Sequence, residues 1–479
     1  MNSKQEQYDM LFIVPHYGAK DGFIWKAIEY RFHSPGVLSI AAYLRSHGFK
    51  VLVFDCNLEQ ISESRFVELF EKRFKAYSFR FFGFTGSTQT INQAYRLAAM
   101  LRNKFQETKI VFGGPHPSAL PQDVLNNSVS DYVVIGEGEI TSLELLQGKN
   151  LKDISGLAYR QNDKIVYTDR RERIADINDL PVAAYDLVPM HLCHPLTGTY
   201  KSLPATILVT ARGCPGNCTF CSRTVGNKLC TMTPQRIIQE IEVLYYKYGF
   251  RQIIFYDDTF IADKTRISEF CDLLLASGMK INWTCSSRVD RVYPDLLLKM
   301  KNAGCHQIMY GVESFNDQVL KNINKHTTRE HVFFAINQTR KTGIEARAAI
   351  MIGNKGDTEQ ILKDNITQLK KLNPDLLQVT ITTPLPGSEL FRNAMDQNKI
   401  LTYDWDRYEG NTQIAEHETL SYATLKKYYR KTYLQFYLRP SYMWTLLFKT
   451  NSWLRLKVLL IGAFSILPIV FSSVFKKSK

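Results

Sequence analysis

The chain has 479 residues, 45% of them hydrophobic and 22% charged, with 9 cysteines and a formal net charge of +14. That is enough apolar material for two or three packed domains and too much for a disordered chain. The polar opening "MNSKQEQYD" leads straight into the apolar "MLFIV", without the basic, apolar and small-residue succession of a secretory signal, and the odd cysteine total lacks the spacing of a disulfide framework.

Up to about residue 149, short apolar runs ending in Gly or Asp alternate with helical periodicity: "MLFIVP", "GVLSIAAYLRSHG", "KVLVFD", an amphipathic stretch from Ser62 to Phe74, "FFGFTG", "INQAYRLAAMLRNKF", "KIVFGG" and "DYVVIGEGE". These read as βα units of an α/β, doubly wound parallel sheet, whose ligands sit at the carboxyl ends of the strands. Residues 150–203 read as a linker, with "GLAYRQNDKIVYTDRR" as a small β-hairpin and "INDLPVAAYDLVP" as an extended connector. From 204 to 390 a second series of six strand–helix repeats runs from "TILVT" to "LLQVTITTP", the pattern of a partial (β/α)6 barrel of TIM type with its chemistry at the strand C-termini. Residues 391–479 turn helical and aromatic. Near the end, Val458 to Phe475 is uncharged, interrupted by Pro468 and flanked by Arg455, Lys457, Lys476 and Lys477; it fits a buried terminal helix, a monotopic anchor or a short membrane span. From Lys426 the tail carries Lys, Arg and aromatics with almost no acids, which favours an anionic membrane surface over a nucleic-acid groove as the meaning of +14.

The densest chemistry lies in "ARGCPGNCTFCSR", where Cys214, Cys218 and Cys221 share one Gly/Pro/Asn-rich loop directly after a strand. A structural zinc would want a fourth ligand, which His191 or His194 could supply; a [4Fe–4S] cluster held by three cysteines leaves one iron open. CxxxCxxC with an aromatic at Phe220 resembles the signature of the radical S-adenosylmethionine (SAM) superfamily. That resemblance implies a cluster whose open iron chelates SAM and whose electron cleaves it to a 5′-deoxyadenosyl radical. It also implies SAM contacts from the backbone at Asp257 and Asp258 in "FYDDTF", where the family has a GGE-like segment and where Asp258 could equally cap a helix, from Glu313 in "GVES", and from Arg288, which by its charge could equally form a structural ion pair. "AAIMIGNKGDT" keeps Gly353 and Gly356 but departs from the family's GxIxGxPGE-like turn through Asn354 and Lys355. "TTPLPGSEL" resembles the closing turn, with Pro386 and Gly387 in place.

In the first segment, Gly113 and Gly114 in "VFGGPHPSALP" and Ser87 and Thr88 in "GFTGSTQT" follow strands and read as the rim of a crevice for a phosphate- or nucleotide-bearing ligand. Together with "SPGVLSIAAYLRSHGFKVLVFD" and "DYVVIGEGE" they resemble the cobalamin-binding domain of B12-dependent radical SAM enzymes, the branch of anaerobic Mg-protoporphyrin ester cyclases, cobalamin-dependent methylases and hopanoid-biosynthesis enzymes. The likeness covers nearly the whole chain and implies cobalamin bound at residues 1–149, without the DxHxxG motif that supplies a lower histidine ligand elsewhere. It implies methylation, cyclisation or rearrangement at an unactivated carbon of a hydrophobic, lipid-like or tetrapyrrole substrate, with hopanoid-type chemistry among the possibilities. A flavodoxin or ferredoxin reductant, no nucleic acid, and a cytoplasmic location against the inner face of the membrane go with that reading. The rival, a methylthiotransferase acting on tRNA, needs three further N-terminal cysteines and a C-terminal β-barrel; upstream of Cys214 there are only Cys56 and Cys193.

Overall fold

The computed structural model describes residues 6–17, 30–196, 198–224, 226–440 and 442. The apolar tail segment from Val458 to Phe475 lies outside them. Among the described residues no helix is long and apolar enough to cross a membrane.

Seven strands form the first sheet: β1 (Glu6–Val14), β2 (Val51–Asp55), β3 (Tyr77–Thr85), β4 (Lys109–Gly113), β5 (Tyr132–Val134), β6 (Leu157–Gln161) and β7 (Lys164–Tyr167), in the order β2-β1-β3-β4-β5-β6-β7. The first five are parallel. Their runs are apolar on both faces because helices cover both. From β1, Met10, Phe12 and Val14 join one core, while Leu11 and Ile13 join the other. The second core is aromatic: Phe66, Phe70 and Phe74 recur every fourth residue along helix Glu63–Phe74, and Phe66 stacks on Phe54 of β2 at 5.6 Å. The hairpin β6–β7 does form, and it is part of this sheet, pairing antiparallel to the three-residue β5.

The "INDLPVAAYDLVP" connector is not extended. It makes short 3-10 turns at Ile177–Asp179, Tyr185–Leu187 and Met190–Leu192, which let Ala184, Tyr185, Val188 and Met190 turn inward and be buried. An extended strand would have exposed every second one of these side chains.

The second sheet holds six parallel strands in chain order: β8 (Ala205–Leu208), β11 (Gln252–Phe255), β12 (Asn282–Arg288), β13 (Cys305–Glu313), β14 (Glu345–Ile352) and β15 (Leu376–Ile381). β8 and β15 are not paired with each other, so the sheet curls into a half-barrel rather than a closed one. Between β8 and β11, β9 (Ala211–Arg212) and β10 (Cys230–Thr231) pair as a two-residue antiparallel ribbon that closes the base of the cysteine loop. Helix Tyr422–Tyr437 covers the free edge of β15. The Tyr437 hydroxyl donates to the Leu377 carbonyl and accepts from its N–H (3.0 Å each), and Tyr433 does the same at Val379 (3.2 and 2.9 Å). An exposed strand edge is a liability that side-chain hydroxyls satisfy here. Residues of both sheets belong to one continuous apolar cluster.

Candidate active site

The cysteine loop starts from a buried clasp. Asp257, just beyond β11, accepts from Thr210 N (2.6 Å), Thr210 Oγ1 (2.6 Å) and Ala211 N (3.1 Å). Arg266 braces the same threonine from behind, donating to its carbonyl at 3.1 Å and its hydroxyl at 2.5 Å. Burial raises the Asp257 carboxyl to about 6, against the pull of these donors. The far side of the loop is fastened by Thr219 N to Ile323 O (3.0 Å), Asn324 Nδ2 to Asn217 O (2.9 Å), Leu390 N to Thr219 O (2.8 Å) and Ser222 Oγ to Pro386 O (2.6 Å). The closing turn expected at Pro386 and Gly387 therefore holds the loop directly.

Within this frame Cys214 and Cys221 are half-buried and Cys218 is buried, all three as free thiols. Gly216 sits between them: a Cβ there would lie 3.4 Å from Cys214 Sγ, 3.9 Å from Cys218 Sγ and 3.3 Å from Arg288 Nη1. Burial pushes up the thiol of Cys214 and drives that of Cys221 to about 12, so thiolate ligation needs a positive partner. Two side-chain cations stand beside the loop. Arg288, at the end of β12, donates to Asp290 (2.9 and 3.1 Å) and to the Lys325 carbonyl (2.7 Å), with Nη1 3.9 Å from Cys218 Sγ. Lys325, buried, donates to Glu313 Oε1 at 2.9 Å and lies 5.8 Å from the Phe220 ring centre. Glu313 ends β13 at φ +61°, a conformation that costs a non-glycine residue energy, where the pairing with β14 shifts register after Gly311.

Three free thiols on one loop beside two cations suit a cluster. A tetrahedral zinc draws its sulfurs to within about 3.8 Å of one another. Among the described residues no three His, Cys, Asp or Glu side chains converge closely enough to hold one metal ion. His191 is exposed, and the His194 ring sits edge-on to Tyr200 at 6.2 Å.

A cavity of about 490 Å³ opens between the two sheets. Its floor is glycine-rich, with Gly83, Gly113, Gly114, Gly136 and Gly138, and its far end reaches Tyr256 and Asp258. At Gly114, φ is +101° and a Cβ would meet Thr85 Oγ1 at 2.8 Å; bare backbone is required there. Asp258 interacts with Cys214 and Cys221, and burial raises its carboxyl. The site residues read from the sequence thus separate. Gly113, Gly114 and Asp258 line the cavity, whereas Asp257 is spent on the loop. Ser87 engages Thr90 at the start of helix Ile91–Lys104. Thr88 turns to the fully buried His116 (3.3 Å), whose other nitrogen meets Asp123 at 3.3 Å and whose ring packs edge-on to Trp405 at 4.8 Å. The departing turn after β14 is held by Asp357, which accepts from Gly353 N (3.0 Å) and Asn354 N (2.9 Å).

Sequence reasoning missed Lys325, whose charge reaches Cys218 from across the barrel, and Gly311, which makes room for its pair with Glu313. It also missed Arg212, which joins β9 to Glu137 (3.0 Å) and Glu139 (2.6 Å) beyond β5.

Comparison with known proteins finds two family models. Residues 208–369 match the Radical SAM superfamily and residues 23–146 the B12 binding domain. The chain is 34% identical over 367 residues to an uncharacterized methyltransferase of Pyrococcus horikoshii, covering 75% of this chain and 78% of that protein. It is 26% identical over 457 residues to an anaerobic magnesium-protoporphyrin IX monomethyl ester cyclase of Rubrivivax gelatinosus, covering 91% and 78%. Among solved structures, the cobalamin-dependent SAM radical enzyme OxsB with aqua-cobalamin and SAM bound aligns with a TM-score of 0.73 at 16% identity, over 99% of this chain and 74% of that one.

Proposed function

This chain belongs to the radical SAM enzymes that carry a B12-binding domain, with a [4Fe–4S] cluster, SAM and cobalamin as cofactors, and we propose that it methylates an unactivated carbon of a hydrophobic substrate. Likeness to a methyltransferase at 34% identity carries the choice of methyl transfer over cyclisation, and a single cavity that runs from the glycine floor of the first sheet to Asp258 beside the cysteines is compatible with it. A group seated on that floor and a group at the cysteine loop face the same space, the arrangement that relay of a methyl group between two cofactors demands.

When bound, the cluster and SAM supply a strong hydrogen-atom abstractor and cobalamin a methyl carrier. The rest is the work of this chain. Cys214, Cys218 and Cys221 hold the cluster. Gly216 lets the loop close around it, and Arg288 and Lys325 offset the gathered negative charge. Lys325 fixes one oxygen of Glu313, leaving the other to accept from SAM when it is bound, and Asp258 lines the adjoining cavity. Phe220 and the apolar cavity wall exclude water, which a reactive abstractor requires. A lipid-like or tetrapyrrole substrate is supported by that wall, and contact with the inner face of the membrane by the basic flanks of the segment from Val458 to Phe475. A flavodoxin or ferredoxin fits the one-electron demand of the cluster.

The test is anaerobic purification with cobalamin, followed by iron, sulfide and cobalt counts and an assay for products of SAM. Methyl transfer yields S-adenosylhomocysteine alongside 5′-deoxyadenosine; deoxyadenosine alone points to cyclisation or rearrangement. Cys218→Ala is expected to abolish both products while the chain stays soluble, and persistent deoxyadenosine would remove the cluster assignment.

A further inference from the structure

The inner face of the half-barrel holds a guanidinium with no carboxylate partner among the described residues. On β14, Ala346, Ala348 and Ile350 are buried beneath the outer helices, which turns Arg347 to the other face of the strand. Arg347 stands level with Met309 of β13 and Leu376 of β15. Its Nη2 donates to Gln378 Oε1 at 2.6 Å, and among the described residues no Asp or Glu forms a salt bridge with it. Its charge reaches Tyr433 and Tyr437 on the covering helix, and Tyr256 at the end of β11. β12 and β13 separate β11 from β14 in the sheet. Tyr256 and Arg347 therefore feel each other's charge across the hollow of the barrel rather than along the sheet. Tyr256 is 55% exposed although burial raises its hydroxyl, the combination expected of a side chain standing in an open recess, and it also lines the cavity between the sheets.

We propose that Arg347 and Gln378 form an anion-binding subsite inside the barrel. The substrate then carries a carboxylate or phosphate there, while its apolar or planar body lies against Tyr256, Tyr433 and Tyr437. A guanidinium binds such oxygens in paired, charge-assisted hydrogen bonds, and three phenol rings offer flat apolar surface with polar rims. A half-buried guanidinium whose side-chain partner is the neutral Gln378 amide keeps an unbalanced charge, and an anion that arrives with the ligand would balance it. This assignment rests on the substrate reading above, and it names what that reading left open.

The holoenzyme is dialysed to equilibrium against three probes of similar size: 1-naphthoate, 1-naphthyl phosphate and the uncharged 1-naphthylmethanol. The wild type is expected to hold at least one anion roughly tenfold or more tightly than the alcohol. Naphthoate winning indicates a carboxylate substrate, and naphthyl phosphate winning a phosphorylated one. Arg347→Met is expected to erase the preference and Arg347→Lys to keep part of it, each checked for iron and cobalt content. Equal binding of all three probes by the wild type overturns the subsite, as does an unchanged preference in Arg347→Met. Failure of methyl transfer itself would show instead as missing S-adenosylhomocysteine in a wild type that still prefers the anion.

Discussion

At Gly311 a methyl group would arrive 2.6 Å from Glu313 Oε1 and 2.8 Å from Lys325 Nζ. Those two atoms are paired at 2.9 Å and both side chains are buried, so neither has a free direction in which to yield. Gly311→Ala is expected to cost about 1–3 kcal/mol of stability as overpacking, read by urea unfolding. It is also expected to lower deoxyadenosine formation at least tenfold while iron and sulfide stay bound, because the displaced carboxylate, not the cysteines, is what moves. An unchanged product yield would remove Glu313 from the site. The three cysteines were legible from the sequence because their spacing along one loop carries the chemistry by itself. Lys325 was not: it reaches Glu313 and Phe220 through a turn in which Asn324 and His326 both take positive φ, and no local pattern announces that geometry. The side-chain role of Asp257 was not legible either, since two adjacent acids read alike until one of them is seen to hold Thr210 and Ala211.

The strands were legible as elements because covering both faces of a sheet leaves long apolar runs in the sequence. The connector after β7 was not, since its short turns are set by what Ala184 and Tyr185 can bury against rather than by periodicity. The ribbon β9–β10 escaped because two residues a side give no period at all. β2 carries an expectation of its own. Asp55 ends it, with Oδ1 accepting from Leu58 N at 2.8 Å and Oδ2 unpartnered. Burial raises its carboxyl from 3.8 to about 7, aided by Glu59 and opposed by the backbone at Leu58, Asn57 and Ser34. Between those two values the folded chain keeps a proton that the unfolded chain has released. The stabilisation is therefore whole below about pH 4 and is lost as pH rises through about 7. Asn cannot release a proton. Asp55→Asn is expected to exceed the wild type at pH 8 by on the order of 4 kcal/mol in urea unfolding, with the gap closing toward pH 4. Comparing the two chains at each pH cancels the opposite trend from His33, which burial holds down at about 4. A gap that stays constant with pH would mean that Asp55 is already neutral, or already solvated, in the folded chain.

Across the whole molecule, the two sheets share one apolar cluster and one cavity, and Arg212 is the main polar joint between them. It sits on the ribbon that closes the cysteine loop and reaches Glu137 at 3.0 Å, Glu139 at 2.6 Å and Ser39 Oγ at 3.1 Å. Arg173 backs it, lying 4.0 Å from Glu137 and donating to the Arg212 and Lys228 carbonyls. Glu137, Gly138 and Glu139 also line the cavity where cobalamin is read to sit, so whatever orders that floor pulls on the cysteine loop through these guanidinium groups. Two sites coupled through a shared element must each sense the other's ligand. In the wild type, adding cobalamin is expected to slow amide hydrogen exchange in the loop from Ala211 to Cys221 as well as on the cavity floor. Arg212→Met leaves Glu137 and Glu139 without that partner in a poorly solvated place, a loss on the order of 3–5 kcal/mol for a fully buried pair and less here, where part of the side chain meets solvent. The partner substitution Glu139→Gln in the same chain is expected to recover part of that stability, because one of the stranded charges is gone. It is not expected to recover the coupling: in both variants cobalamin should protect the floor as before and the loop less than in the wild type, with Arg173 carrying what remains. Protection that spreads undiminished to Cys218 in Arg212→Met would place the joint in the apolar cluster, along Tyr185 and Leu208, rather than in the ion pairs.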